Sequence, residues 1–191
     1  MVVQGHLLII PKKHINGFAE FTTKELNEVQ KFVEEVTNKI KKYMKINVIC
    51  FEHGSLQKGR YPQSIVHAHL HIIPYNLTSK SRDRIINECK LKKIKVYQEI
   101  KNAAYKDYCY FKDENDNMYL SNSINFPRSI IFRVIAEQEG LEKEYEWREE
   151  KNNNKNKLIS TIELGKKYSI ITGIIIFFNK TIKMTKTKSK I

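Results

Sequence analysis

His67-Ala68-His69-Leu70-His71-Ile72-Ile73 is the stretch that decides how this 191-residue chain reads. The alternation predicts a β-strand over residues 65–73, ended by Pro74. Side chains two apart on a strand share a face, with about 7 Å between their Cα atoms. One face then carries the imidazoles of His67, His69 and His71. The other carries Ala68, Leu70 and Ile72, a set suited to a core. An extended segment that is apolar behind and presents three imidazoles in front suits chemistry better than packing alone. Two chemistries are open to it. Histidines spaced by one residue can share a zinc ion if a carboxylate lies nearby, and Glu52 is the local candidate. Alternatively, a neutral imidazole attacks phosphorus while neighbouring donors hold the phosphate oxygens. The preceding loop is rich in such donors, with Ser55, Gln57, Gln63 and Ser64, and these favour the phosphate reading.

Outward from this stretch, the elements on either side belong to one sheet and its cover. Leu7 to Ile10 reads as a short strand, as does Ile46 to Phe51. Between them, Thr22 to Glu25 has the spacing of a capping box. Behind it Leu26, Val29, Phe32, Val33, Val36, Ile40 and Tyr43 recur at helical spacing, which predicts an amphipathic helix of about five turns lying on the sheet. Arg82 to Lys93 reads as a short helix. Tyr108 to Lys112 and Met118 to Ser121 flank a polar cluster, residues 113–117, and so read as a hairpin. Pro127 opens a second helix carrying Ile130, Ile131, Val134 and Ile135, with Gly140 as its stop.

The net charge of +13 is concentrated at one end. Residues 151–191 hold ten Lys and a single acidic residue, Glu163, whereas residues 1–150 are only mildly basic. Such a tail gathers polyanions weakly and without specificity; its plainer reading is a solvated, lysine-rich end. The run Lys151 to Lys157 is of low complexity and marks a boundary. Tyr168 to Phe178 is apolar but too short to cross a bilayer as a helix. A stray strand, an aggregation-prone segment and a surface-docking patch are all open to it. No transmembrane helix is expected. Cys50, Cys89 and Cys109 are odd in number and form no C-x-x-C, which suits a reducing compartment. No signal peptide is read at the start, so the cytoplasm is the expected location.

The His-Ala-His-Leu-His-Ile-Ile run resembles the signature of the histidine-triad (HIT) superfamily. Gly5-His6-Leu7-Leu8-Ile9-Ile10-Pro11-Lys12-Lys13-His14 is similar to that family's preceding strand, with a fourth histidine, here His6. Gln63-Ser64 resembles its phosphate-contacting pair. Phe51-Glu52-His53-Gly54, Tyr108-Cys109-Tyr110-Phe111, Arg133-Val134-Ile135-Ala136 and Trp147-Arg148 are similar to a branch labelled diadenosine tetraphosphate hydrolase-like. The resemblance covers residue 5 to about residue 150. It implies an α+β fold: an antiparallel HIT-type sheet with one long amphipathic helix packed on it, a C-terminal hairpin-helix extension, and the basic tail. The corresponding units are 1–104 as a catalytic core, 105–150 as the extension and 151–191 as the tail.

The resemblance implies a nucleotide hydrolase or transferase acting on the α-phosphate of a dinucleoside polyphosphate or nucleoside phosphoramidate. His69 would be the nucleophile and form a covalent nucleotidyl-histidine. His71 would contact phosphate oxygens, and His67 would orient the nucleophile. Gln63 and Ser64 would bind phosphate or the leaving group, and His6 would support the triad. His53 opens the phosphate-side loop and joins the candidates, whereas His14 reads as an exposed loop histidine. Arg60 reads as solvated and Trp147 as packing. No metal is obligatory in the chemical step, and magnesium would enter only with a polyphosphate substrate. A homodimer is expected. Members of the family carry some tens of residues before the Gly-His strand, which supply the apolar wall for the nucleobase. Here that strand starts near Met1. The wall is then expected from elsewhere, a partner subunit for instance. The alternative is a HIT-like protein that binds nucleotide without turnover, or a fragment of a longer chain.

Overall fold

Thr22 starts the longest element of the molecule. Its Oγ1 accepts from the Glu25 amide at 3.2 Å, while Glu25 Oε2 accepts from the Thr22 amide at 2.8 Å. Two otherwise unpaired donors of a helix start are thereby satisfied. The helix that follows, α1, spans Thr23–Met44. It buries Leu26, Val29, Val33, Val36 and Ile40 along one stripe, with Thr37 beside them. Tyr43, expected on that stripe, is 40% exposed. Met44, four residues after Ile40, takes the next core contact instead, and Lys42 Nζ sits 5.5 Å from the centre of the Tyr43 ring.

The computed structural model describes residues 3–54, 67–103, 107–122 and 129–141, and the backbone of 175–178. The strands are β1 (Leu7–Pro11), β2 (Val48–Gly54), β3 (Leu70–Pro74), β4 (Lys92–Ile94), β5 (Tyr108–Lys112), β6 (Met118–Ser121) and β7 (Ile175–Phe178). Their order across the sheet is β4-β6-β5-β2-β3-β1-β7. All neighbours from β4 through to β1 are antiparallel. The expected antiparallel sheet needs one amendment, because β7 runs parallel along β1, with Leu8 opposite Ile175. A parallel neighbour needs a connection of about a dozen residues or more, and the separation in sequence between β1 and β7 far exceeds that.

The sheet lies between two covers. On one face, α1 and two short 3₁₀ helices, Phe18–Glu20 and Tyr97–Ala103, pack with Leu7, Ile9, Val48, Cys50, Leu70 and Ile72. On the other, α2 (Ser79–Glu88) and α3 (Ile130–Gln138) pack with Ile49, Ile73 and Phe111. Fully burying one such aliphatic side chain is worth about 1.5–3 kcal/mol before the cost of ordering it. The sequence places α2 over 82–93, and the structure moves it. Thr78 Oγ1 accepts from the Ser81 amide at 3.1 Å and starts the helix earlier. Lys90, at φ 51°, turns the chain out of it, so that Lys92–Ile94 becomes a strand. The hairpin of β5 and β6 and the stop at Gly140, with φ 68°, fall where the sequence puts them. Pro127 lies outside the described residues.

Gly54 marks a close approach of backbone to ring. A Cβ built there would lie 2.1 Å from Cε1 of Tyr108, a fully buried ring whose hydroxyl accepts from the Ala19 amide at 3.1 Å. The three cysteines are buried and form no disulfide. Among the described residues, no helix is long and apolar enough to cross a membrane.

Candidate active site

β3 begins at Leu70, not at residue 65. His67 and His69 therefore sit in the lead-in, and only His71 lies on the strand. The cause is where the backbone groups of the lead-in are spent. The Ala68 amide donates to the Ile15 carbonyl at 2.7 Å, and the His67 carbonyl accepts from His69 Nδ1 at 2.8 Å. These groups serve the connector and a side chain instead of the ladder. The alternation nevertheless persists. Ala68, Leu70 and Ile72 are buried toward α1, while His67, His69 and His71 are half-buried on the opposite face. The rings of His69 and His71 stand 5.1 Å apart.

The proton positions follow from the acceptors. A carbonyl oxygen can only accept, so His69 carries its proton on Nδ1. In the neutral ring the lone pair is then on Nε2. His67 Nε2 lies 2.7 Å from the Pro11 carbonyl and must likewise be its N–H. That leaves Nδ1 of neutral His67 as an acceptor, and His14 Nδ1 donates to it at 3.1 Å. His14 is exposed, as expected, yet it belongs to this cluster. The signal was available in the strand order. β1 ends beside the start of the histidine segment, with Ile9 opposite Leu70, so the loop after β1 passes His67.

His6 reaches the site because Gly5 turns the chain at φ 80°. A Cβ on Gly5 would meet Pro74 Cγ at 2.9 Å in a conformation that L side chains rarely adopt. His6 Nε2 lies 2.9 Å from His71 Nδ1, and the two rings stack at 5.1 Å. Burial pushes His6 down to about 4. Burial first, then the charges of His6 and His69, hold His71 well below the usual histidine range. Both rings are therefore neutral near pH 7.

Phe51 of β2 stacks on His71 with ring centres 4.1 Å apart and planes 4° from parallel. Phe132 of α3 stands at 5.6 Å from His71, edge to face. Sequence reasoning missed Phe132, because nothing in a local pattern links it to a ring sixty-one residues earlier. His53 is exposed on β2, two residues beyond Phe51 and so on the same face. Gln63 and Ser64, with Ser55, Gln57, Arg60 and Trp147, lie outside the described residues.

Glu52 does not join the histidines. It faces the α1 side, fully buried, and its Oε1 accepts from the Phe18 amide at 2.8 Å. Burial pushes its carboxyl up to about 8, against the pull of the Phe18 and Tyr108 hydrogen bonds. Among the described residues no three His, Cys, Asp or Glu side chains form a metal-holding group. A cavity of about 220 Å³ opens on the α1 side, lined by Val33, Thr37, Leu70, Tyr97, Tyr110 and Met118 among others. None of the histidines lines it, so the chemistry-bearing face lies elsewhere.

Comparison with known proteins agrees with this geometry. Residues 2–77 match the family model described as the HIT domain. All six histidines fall within that range, and α2 and α3 fall outside it. An uncharacterized HIT-like protein of Mycoplasma genitalium is 33% identical over 90 residues. The aligned part is 46% of this chain, and the chain spans 60% of that relative's length. Both findings support the HIT superfamily. Neither supports the finer branch suggested by residues 51–54, 108–111, 133–136 and 147–148.

Proposed function

We propose that this protein is a nucleotide hydrolase or transferase that attacks the α-phosphate of a dinucleoside polyphosphate or nucleoside phosphoramidate, with His69 as nucleophile. The observation that carries the reading is the 2.8 Å hydrogen bond from His69 Nδ1–H to the His67 carbonyl. It commits the ring proton to one edge and leaves the lone pair on the other. As Nε2 bonds to phosphorus, the P–O or P–N bond to the leaving group breaks and the ring becomes cationic. The Nδ1–H bond to the carbonyl then becomes charge-assisted and strengthens. That interaction is stronger in the transition state than before it, which is the kind that accelerates a reaction. Water next breaks the P–N bond to histidine and releases a nucleoside monophosphate.

The other roles follow from position. Neutral His71 offers an N–H to phosphate oxygens, and His6 holds it from β1. His67, anchored at Pro11, places the carbonyl that orients His69, and His14 holds the free edge of His67. Gln63 and Ser64 complete the phosphate contacts in this reading, and magnesium would arrive only with a polyphosphate. The diadenosine tetraphosphate hydrolase-like branch and a homodimer belong to the same proposal.

The test is to incubate the protein with diadenosine tetraphosphate and with an adenosine phosphoramidate, and to quench early. A phosphorus–nitrogen-linked nucleotide should appear on the parent. His69→Ala should lack it and lose at least ~10⁴-fold in turnover while keeping its fold. Turnover of both substrates undiminished in His69→Ala would end the nucleophile assignment. Binding of adenosine monophosphate with no product from the parent would instead favour a nucleotide-binding protein without turnover.

A further inference from the structure

We propose that Phe132, on α3 and outside the HIT-matched segment, is a positioning residue for His71, closing an aromatic box that locks its ring in the tautomer with the proton on Nε2. The inference rests on the reading of His71 as a phosphate contact, and it goes beyond the family match, which ends at residue 77.

Besides His69 at 5.1 Å, three rings from other elements lie against His71 among the described residues. Phe51 lies flat on it at 4.1 Å, and His6 lies at 5.1 Å on a plane 22° away. Phe132 contacts His71 and both of the other two, Phe51 and His6. Its centre is 5.6 Å from His71, 5.6 Å from Phe51 and 5.7 Å from His6, at planes inclined by 74°, 77° and 53°. Edge-to-face contacts at such distances are favourable. They also exclude water from the His6–His71 hydrogen bond. Two neutral imidazoles share one proton across that 2.9 Å contact. The contact accommodates either direction; in the proposed arrangement His6 Nε2 is the donor, so that His71 accepts at Nδ1 and carries its own proton on Nε2, the edge left for substrate.

α3 is braced to hold this position. Ile131, Val134 and Ile135 are buried in the core it shares with α2. Arg133 pairs with Glu88 at 2.9 Å, and Arg84 with Glu137. These pairs also account for the charges on that element. Arg133 and Glu137 are turned to α2, so α3 presents to His71 the ring of Phe132. The titratable groups that face His71 are His6 from the segment before β1 and His69 from its own lead-in. β2 presents Phe51, with His53 two residues further along the same face.

The experiment is a ¹⁵N NMR titration of the histidine side chains in the full chain. In the parent, His71 should show the neutral Nε2–H pattern down to low pH. In Phe132→Ala and Phe132→Gln, both tolerated in helices, its midpoint should rise by about one pH unit or more toward 6.5 as water enters. Phe132→Tyr, which keeps the ring, should restore the parent value. A brace acting only on α3 would lower thermal stability and leave the His71 midpoint where it was. That unchanged midpoint in either folded variant overturns the inference, and so does an Nδ1–H pattern for His71 in the parent. Neither result bears on the adduct test with His69→Ala, so the two readings fail separately.

Discussion

The two faces of the central strands bury ionisable groups in opposite ways. Toward α1, Glu52 lies among Phe18, Tyr108 and the other tyrosines of that core, with Oε2 unpartnered among the described atoms. Toward α3, His71 lies among Phe51, His6 and Phe132. Both groups are held neutral, yet neutrality adds a proton to a carboxylate and removes one from an imidazolium. The α1 face is a core into which one acid has been admitted. The opposite face is a half-buried row of rings, and carbonyl acceptors assign the protons of His67 and His69. A buried titratable group is therefore not by itself a mark of a site. What separates the two faces is the chain of hydrogen bonds that fixes which edge of each ring is free.

The largest effect that tests this contrast is the pH dependence of stability. Glu52 is raised from 4.5 to about 8, so between these values the folded state holds a proton that the unfolded state has lost. Its contribution is complete below pH 4.5 and declines as pH rises through about 8. His6 is lowered from 6.5 to about 4, so its contribution is complete above 6.5 and is lost as pH falls toward 4. His71 has the same sign. Urea unfolding of the parent should show greatest stability near the upper end of the window where the two faces oppose, around pH 6.5. Glu52→Gln should remove the decline above pH 6.5, a gain on the order of 4 kcal/mol at high pH. It should also steepen the rise between pH 4.5 and 6.5, where Glu52 opposes His6, and leave stability below pH 4.5 as it was. An alkaline decline of the same size in Glu52→Gln would show that another group causes it.

Next in size is the close approach at Gly54. Its missing Cβ makes room for the Tyr108 ring beside Glu52. Gly54→Ala should cost about 1–3 kcal/mol by overpacking, read as a lower urea midpoint. Tyr108→Leu in the same chain should recover part of that loss. A single substitution that costs nothing measurable would mean the ring has room to move, and that the α1 face is less tightly built than its opposite.

The same contrast explains what could be read in advance. The α1 face was legible because one local rule governs each piece. The capping box at Thr22 and the apolar spacing from Leu26 to Ile40 define the helix, and alternation of Ala68, Leu70 and Ile72 defines the strand face beneath it. The histidine triad was legible for the same reason. Its completion was not. His14, Phe51 and Phe132 reach the rings from other parts of the chain, and no local period connects them. Glu52 follows the same alternation as Cys50, which places it behind the sheet. It entered the metal reading only as the local carboxylate candidate for the triad. The strand start at residue 65 failed because a side chain, His69, took a carbonyl that alternation assigns to a ladder. α2 failed at both ends, because a threonine cap and a lysine in the left-handed region are weaker punctuation than proline or glycine.

That lysine supplies the smallest test. Lys90 N–H donates to the Asn87 carbonyl at 3.1 Å and Leu91 N–H to the Ile86 carbonyl at 2.9 Å, the paired bonds that close a helix through a left-handed residue. Glycine adopts φ 51° without the clash of a Cβ, which costs other residues about 1–2 kcal/mol. Lys90→Gly should therefore stabilise the protein by about 1 kcal/mol, a rise of roughly 2–4 °C in Tm. Lys90→Ala removes the same charge but keeps the Cβ, and it should change little. The gain must also leave the His71 titration untouched, because Lys90 lies beyond the end of α2 and the ring contacts of His71 come from His6, Phe51, His69 and Phe132. A shift of that titration in Lys90→Gly would mean that the cover and the rings of this face move as one unit, and the separation drawn between packing and proton placement would fail there.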